Sequence, residues 1–111
     1  MSKRIGYGHK RKRVLTKIAQ WREHRGLTQE ALAERLETSK ASISRIENGE
    51  QAYTQDFLEA CADALRTDPA SLLMRDPTDD EAVWTLWDKA KVGERQMIES
   101  IVRSVVKTAA K

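Results

Sequence analysis

Two short helix patterns separated by only two residues are the feature that most constrains the fold of this chain. The first, about Gln29–Leu36, follows Thr28, whose hydroxyl can accept a hydrogen bond from the amides of the next turn. The second follows Ser39, a residue of the same capping type, and ends at Asn48-Gly49. Helices of only about two turns are not stable alone in water, so each must bury its apolar side against the other and against a further helix.

The apolar residues of this pair predict how the two helices pack. Leu32 and Leu36 face inward from the first helix, and Ile43 and Ile46 face inward from the second. Ala33 lies where the helices would cross, and its small side chain lets the two backbones approach closely. The pair is therefore predicted to cross at a steep angle.

What remains on the second helix is an outward face that is small and polar apart from two long cations. Such a helix can enter the major groove of DNA, where Lys40 and Arg45 would reach guanine acceptors or phosphates. An ordinary solvated face has the same composition, so the residues by themselves leave both interpretations open. The face consists of Ser39, Lys40, Ala41, Ser44 and Arg45.

Basic residues are concentrated at the start of the chain. Residues 1–25 hold nine Lys and Arg against Glu23 alone, whereas the remainder holds eleven basic and sixteen acidic side chains. Residues 1–13 also lack an apolar period, which predicts a flexible basic arm. Clustered Lys and Arg release counterions from phosphates and so favour nucleic acid, although a solubilising tail would look the same.

The apolar pattern extends over residues 14–75, and it predicts three helices besides the pair. One precedes the pair and repeats Leu15, Ile18 and Trp21 at helical spacing. Two follow it, one capped by Thr54 and a short one capped by Asp68. Five helices would complete this domain.

The segment from Leu27 to Gly49 resembles the helix-turn-helix of Cro/C1-type regulators, the Xre family. Members commonly show a Leu-Thr/Ser-Gln opening, a small residue at the crossing, a short turn, an Ile or Val pair and a closing Glu-Asn-Gly. All of these occur in LTQEALAERLETSKASISRIENG. The resemblance covers residues 14–75 and implies an all-α, five-helix, lambda-repressor-like domain in which the second short helix reads DNA.

The resemblance also implies roles for individual residues. Gln29 is similar to a glutamine that holds a backbone phosphate, and Asn48 to an asparagine that contacts the backbone. Arg22 and Glu47 correspond to a pair that forms an ion bridge in some members, and we expect this bridge to orient the reading helix rather than to touch DNA. The five outward residues correspond to base-reading positions. Arms of other helix-turn-helix proteins suggest further backbone or minor-groove contacts through Arg11, Lys12 and Arg13.

One position departs from the family pattern. The residue after Leu36 is usually Gly, because the turn often needs a positive φ, but here it is Glu37. That conformation costs a non-glycine residue on the order of 1 kcal/mol. We expect a slightly strained turn or a differently built one, which leaves the tilt of the reading helix open.

Residues 76–111 are more than a five-helix domain requires, and they predict a C-terminal αα-hairpin. Thr78 is expected to cap a helix with two tryptophans, and a helix from about Glu94 carries an apolar stripe. The hairpin has more apolar surface than it can bury within itself. The surface either folds back on the fourth and fifth helices or forms a homodimer interface. The candidate interface residues are Trp84, Trp87, Ile98, Ile101, Val102 and Val105.

The leading hypothesis is a sequence-specific DNA-binding transcriptional regulator of phage-repressor type, acting as a dimer on an inverted-repeat operator through the helix 39–48. A dimer is favoured because one short reading helix makes few base contacts and a two-fold pair doubles them. The alternative is an antitoxin that holds its toxin through the C-terminal helices and regulates its own operon.

Other functional classes have little support in the sequence. The chain has no catalytic triad, glycine-rich phosphate loop or metal-ligand cluster, so we expect no enzyme, metal or cofactor. It has no apolar run of membrane-spanning length and no signal-peptide pattern, which predicts a cytoplasmic protein. The lone Cys61 is expected in the core. Residues 76–111 are expected to leave no room for a small-molecule effector pocket.

Overall fold

The computed structural model describes residues 3–4, 6–7 and 12–109, and the described residues form helices without any strand. The all-α fold class is therefore confirmed. The chain divides into two compact units, Met1–Arg75 and Asp76–Lys111. The first unit contains α1 (Ile18–His24), α2 (Gln29–Arg35), α3 (Lys40–Glu47), α4 (Gln55–Ala64) and α5 (Pro69–Met74). The second contains α6 (Val83–Lys89) and α7 (Val92–Ala109).

Side-chain caps determine where α2 to α5 begin. In each case an oxygen of the N-cap side chain accepts a hydrogen bond from the backbone N–H three residues later, at 2.8–3.1 Å. The bond from the Ser71 N–H also lowers the pKa of the capping carboxyl. The four caps are Thr28, Ser39, Thr54 and Asp68.

The core of the first unit is made by the inward faces that the helical spacing predicts. Ile18, Leu32 and Ile43 are at most 1% exposed, and Trp21 donates its indole N–H to the carbonyls of Ser71 and Arg75 at 3.2 and 2.9 Å. A buried indole N–H needs an acceptor within the protein, and these two bonds satisfy it while joining α1 to α5.

Cys61 is fully buried in α4, as expected. Burial raises the pKa of its thiol to about 12, with a smaller effect from the carboxylate of Glu47. The thiol therefore stays protonated and unreactive at neutral pH.

Helix α1 begins later than the apolar pattern suggests. Residues 14–17 are not helical, Val14 is 92% exposed, and Leu15 is about half exposed. Thr16 is buried, and the Lys17 N–H donates to the carbonyl of Leu72 in α5 at 2.6 Å. The helical spacing of Leu15 therefore does not mark the start of α1, and the prediction that this helix begins near residue 14 is wrong, because residues 14–17 pack as a non-helical segment.

Helices α1 to α4 all end in the same backbone turn. The N–H of the first residue beyond the C-cap bonds to the carbonyl three residues back, and the next N–H bonds to the carbonyl five residues back. This turn needs a positive φ at its first residue. The four residues are Gly26 (φ 71°), Glu37 (54°), Gly49 (76°) and Arg66 (54°).

Glu37 therefore adopts the conformation that the family pattern gives to glycine. The turn between α2 and α3 has the usual backbone, with the Thr38 N–H bonded to the Ala33 carbonyl at 2.9 Å. Of the two expectations for this turn, the strained one is correct, at a cost on the order of 1 kcal/mol.

In the second unit, Arg95 of α7 ties the two helices together. Its Nε donates to the carbonyl of Trp87 at 3.0 Å and its Nη2 to that of Asp88 at 3.2 Å, while the guanidinium lies 5.4 Å from the Trp87 ring centroid. A cation on the last carbonyls of α6 also complements the negative end of that helix. The predicted two-helix extension is present.

Both helix starts in this unit differ from the sequence-based expectation. Helix α6 begins at Val83 without a side-chain cap, and Thr78 bonds instead to the carboxylate of Asp76. Helix α7 begins at Val92, directly after a two-residue break that follows α6. The Lys91 N–H donates to Glu94 at 2.8 Å, as in a capping box, which starts the helix earlier than predicted.

Gly49 and Gly26 offer a matched pair for testing how α3 ends. A Cβ at Gly49 would lie 2.9 Å from Leu15 Cδ2, whereas one at Gly26 would meet nothing within 4 Å. We expect Gly26→Ala to lower the free energy of unfolding by about 1 kcal/mol, from the positive φ alone. Gly49→Ala should cost roughly 2 kcal/mol, since Leu15 must also move. Urea denaturation of both variants measures this, and equal losses would show that Leu15 moves without cost.

Candidate nucleic-acid interface

Helix α3 presents one open face and one fixed face. Ile43, Ile46 and Glu47 on the inner side are buried. The residues predicted to read bases lie on the other side, where only Ser44 is half-buried and the rest are exposed. The exposed ones are Ser39, Lys40, Ala41 and Arg45.

A bidentate ion pair links α1 to the end of α3. Arg22 Nε lies 2.8 Å from Glu47 Oε2, and Nη2 lies 3.1 Å from Oε1. The side chains are 12% and 5% exposed. The hydrogen bond to Glu47 raises the pKa of Arg22, although burial opposes it. The pair that the resemblance implied is thus present, inside the protein and away from the open face of α3.

Gln29 extends this pair to a third helix. Its Nε2 donates to Glu47 Oε1 at 2.9 Å, so the Glu47 carboxylate accepts bonds from α1 and α2. This contact was not predicted from the sequence, where the resemblance implied only a phosphate contact for Gln29. One amide N–H of Gln29 is directed at Glu47, and a phosphate contact would use the other.

The end of the basic arm lies beside the C-terminus of α3. Arg13 Nη1 donates to the Gly49 carbonyl at 3.1 Å, next to the exposed C-cap residue Asn48. Lys12 is also exposed. Arg11 lies outside the described residues. The structure therefore brings two of the predicted backbone ligands, Arg13 and Asn48, to the same end of the helix.

Sequence reasoning missed Gln51, which touches the open face of α3. Arg45 Nε donates to Gln51 Oε1 at 2.9 Å, and Gln51 Nε2 donates to Ser42 Oγ at 3.0 Å. No signal in the sequence marked it, since it lies in the loop beyond the closing Glu-Asn-Gly.

Comparison with known proteins decides the family. Residues 16–73, more than half of the chain, match the family described as "Helix-turn-helix domain". The chain belongs to the helix-turn-helix family. This confirms the resemblance to Cro/C1-type (Xre) proteins, and with it the coarser functional prediction of a DNA-binding regulator.

Comparison of folds gives the same architecture. A chain from a solved structure titled "SinR protein/SinI protein complex" is similar at a TM-score of 0.53 and 22% identity, covering 84% of this chain and 95% of that chain. At this identity the likeness concerns the fold, and it agrees with a lambda-repressor-like domain followed by further helices. No curated protein matches the sequence.

The second unit of this helix-turn-helix protein has a largely apolar groove between α6 and α7. Its volume is about 700 Å³. Trp84 is 52% exposed and Val102 53%, while Trp87 is half-buried. Residues 76–111 were expected to leave no room for an effector pocket. That expectation is wrong with respect to volume, since the groove is larger than the smallest ligand sites, which measure about 300 Å³. The groove is lined by Val83, Trp84, Trp87, Ile98, Glu99, Val102, Arg103, Val106 and Lys107.

Within residues 3–4, 6–7 and 12–109, no helix combines the length and hydropathy needed to cross a bilayer. In the same ranges, no group of three or more His, Cys, Asp or Glu side chains could hold a metal ion.

Removing one partner of the Arg22–Glu47 pair should destabilise the domain strongly. We expect Arg22→Met to lower the free energy of unfolding by about 3 kcal/mol, because it leaves a buried carboxylate without its cation. Glu23→Ala is the matched control, since the exposed Glu23 lies 3.9 Å from Arg22 and should contribute less than about 1 kcal/mol. Urea denaturation at pH 7 measures both. Equal losses of unfolding free energy in the two variants would contradict the prediction that the buried Glu47 carboxylate needs Arg22.

Proposed function

We propose that this helix-turn-helix protein is a sequence-specific transcriptional repressor that places α3 in the major groove of its operator. The observation that carries the proposal is the contrast between the two sides of α3. Its inner side is fixed by Ile43, Ile46 and Glu47, while its outer side is open and small except for Lys40 and Arg45. A helix anchored in this way can enter a groove about 12 Å wide with its cations directed at base edges.

Residues beside the C-terminal end of α3 fit contacts to the DNA backbone. Gln29 begins α2 and bonds to Glu47, the last residue of α3, while Asn48 and Arg13 meet just beyond it. Backbone contacts fix the register of a reading helix on the duplex, whereas base contacts supply the specificity. Lys12, which precedes Arg13, adds an exposed cation, and the rest of the arm would follow the backbone or the minor groove.

We assign the α6–α7 surface to a homodimer interface. The exposed apolar residues of α7 recur every three or four positions along an 18-residue helix, so they form a continuous strip. A two-fold pair buries the strip in both copies and presents two α3 helices to an inverted repeat. The strip and its neighbours on α6 comprise Trp84, Trp87, Ile98, Ile101, Val102 and Val105.

A second candidate function places a different protein on the same surface. It is favoured by the open groove of α6–α7 and by the fold neighbour, whose solved structure is a complex of two proteins. In this case the chain would act as an antitoxin that holds its toxin and regulates its own operon. Co-purification of a small partner from the native host in 1:1 ratio, lost in Ile101→Glu, would favour it over the homodimer.

The homodimer predicts a mass in solution of about twice 12.7 kDa. We expect Ile101→Glu to convert the dimer to a monomer, because it puts a charge into a buried apolar interface. Val92→Glu is the control, since Val92 is 75% exposed on the same helix but outside the candidate interface. Sedimentation equilibrium at micromolar concentration measures both variants. A wild-type protein that sediments only as a 12.7 kDa species, with and without DNA, would overturn the homodimer.

The reading role of α3 is tested by comparing specific with non-specific binding. We expect Arg45→Ala to cost about 1–3 kcal/mol on the selected site and little on random DNA. Arg66→Ala is the control, because it removes the same charge from the turn between α4 and α5. Sites are first selected from random fragments, and affinities are then measured by fluorescence anisotropy. Equal losses of Arg45→Ala on both DNAs would remove Arg45 from base reading.

The basic arm, in contrast to Arg45, should contribute affinity for all DNA sequences and no specificity. Deleting residues 1–13 is expected to weaken binding to every sequence and to reduce the slope of affinity against salt, because it removes phosphate contacts and the counterions they release. A deletion variant with an unchanged salt slope would contradict a backbone role for Lys12 and Arg13.

A further inference from the structure

The Arg45 side chain is held on the open face of α3 by a chain of two hydrogen bonds. Its Nε donates to Gln51 Oε1 at 2.9 Å, and the amide nitrogen of Gln51 donates to Ser42 Oγ at 3.0 Å. Gln51 thus uses both ends of its amide to join two residues of the same helix. An exposed arginine can adopt many rotamers, and a bond at Nε restricts the directions in which its guanidinium can be presented.

The loop that carries Gln51 is itself fixed. The backbone N–H groups of Glu50 and Gln51 both donate to the Arg45 carbonyl, at 2.8 and 3.2 Å. The positive φ of Gly49 begins this turn. Gln51 is half-buried, so its amide is a positioned acceptor rather than a chance surface contact.

The bond to Gln51 determines how Arg45 can approach a base. A guanidinium has five N–H donors, and the one on Nε is already directed at Gln51. A side-on approach through Nε and Nη is thereby excluded, which leaves the end-on fork of Nη1 and Nη2. That fork matches the O6 and N7 acceptors of guanine in the major groove.

We propose that Gln51 is a specificity-determining positioning residue, which holds Arg45 in the end-on orientation that reads guanine. Gln51 does not contact the base and acts through Arg45. The proposal rests on the proposed reading role of α3 and deepens it: it names guanine as the base and assigns a residue outside the helix-turn-helix motif to its recognition.

The test compares Gln51→Met with Gln55→Met. Methionine keeps the length of glutamine but neither donates nor accepts in this way, so Gln51→Met frees Arg45. Gln55 is the matched control, because it is an exposed glutamine bonded only to Glu59 of its own helix in the contacts described. The base pair that depends on Arg45 is first found by comparing wild type with Arg45→Ala on sites selected from random DNA.

The measured quantity is discrimination, the ratio of the dissociation constants for each single-base replacement and for the selected site. We expect Gln51→Met to reduce discrimination about tenfold at the Arg45-dependent G·C pair and not elsewhere, since the loss is part of one bidentate contact. Gln55→Met should keep full discrimination at every position. Affinity for random DNA should not change in either variant, and both should keep the helical circular dichroism spectrum of wild type, which separates positioning from a general structural effect.

The outcomes distinguish the two levels of the proposal. If Arg45→Ala loses no discrimination at any base pair, the reading role fails and this inference fails with it. If Arg45→Ala loses discrimination but Gln51→Met keeps it, or loses it equally at all positions, only the inference is overturned. An Arg45-dependent pair other than G·C would likewise overturn it.

A measurement without DNA tests the same contact. The ¹⁵N–¹H signal of Arg45 Nε should be protected from exchange with water in wild type and in Gln55→Met, and lost in Gln51→Met. Ser42→Ala should weaken the protection, because it removes the anchor of Gln51. An Arg45 Nε signal that exchanges equally fast in wild type and Gln51→Met would contradict the proposal.

Discussion

The carboxylate of Glu47 is the contact on which the arrangement of the DNA-binding unit depends. It accepts two bonds from Arg22 of α1 and one from Gln29 of α2, while belonging to α3 itself. A buried carboxylate must be satisfied by cations and donors, so the three helices can meet in only a narrow range of orientations. The apolar residues of α3 stabilise the packing by burial but do not fix the orientation of the helix. The hydrogen bonds to Glu47 are directional, so they do fix it. The angle at which α3 leaves the domain is therefore set from inside.

Much of the DNA-binding unit could be predicted because its signals are local. Thr28, Ser39 and Thr54 cap their helices where the sequence indicates, since a capping hydroxyl acts within three residues. The start of α1 could not be predicted, because Leu15 has helical spacing but packs against the turn at Gly49 from an extended segment. Gln51 could not be found either, as its role depends on a loop returning to Ser42 and Arg45. Such contacts join residues that no motif or helical spacing connects, so the sequence alone does not indicate them.

The two units use their surfaces in opposite ways. The open face of α3 is polar and small, with its cations fixed or directed outward, and it suits a polar groove. The α6–α7 surface is apolar and wide, and it suits another protein. The open face of α3 lies on a unit whose buried residues form one continuous cluster. In the proposed repressor these are the surfaces that would recognise DNA and bring two copies together.

The turns that close α2 and α4 have a consequence for how such proteins are recognised. Both place a charged residue, Glu37 or Arg66, where glycine would be free of steric cost, and both keep the same pair of backbone bonds. The geometry of the corner is thus defined by main-chain donors and acceptors, and side-chain identity only shifts its energy slightly. A signature that insists on glycine between the two short helices would overlook proteins of this kind, although the same pair of backbone bonds forms there.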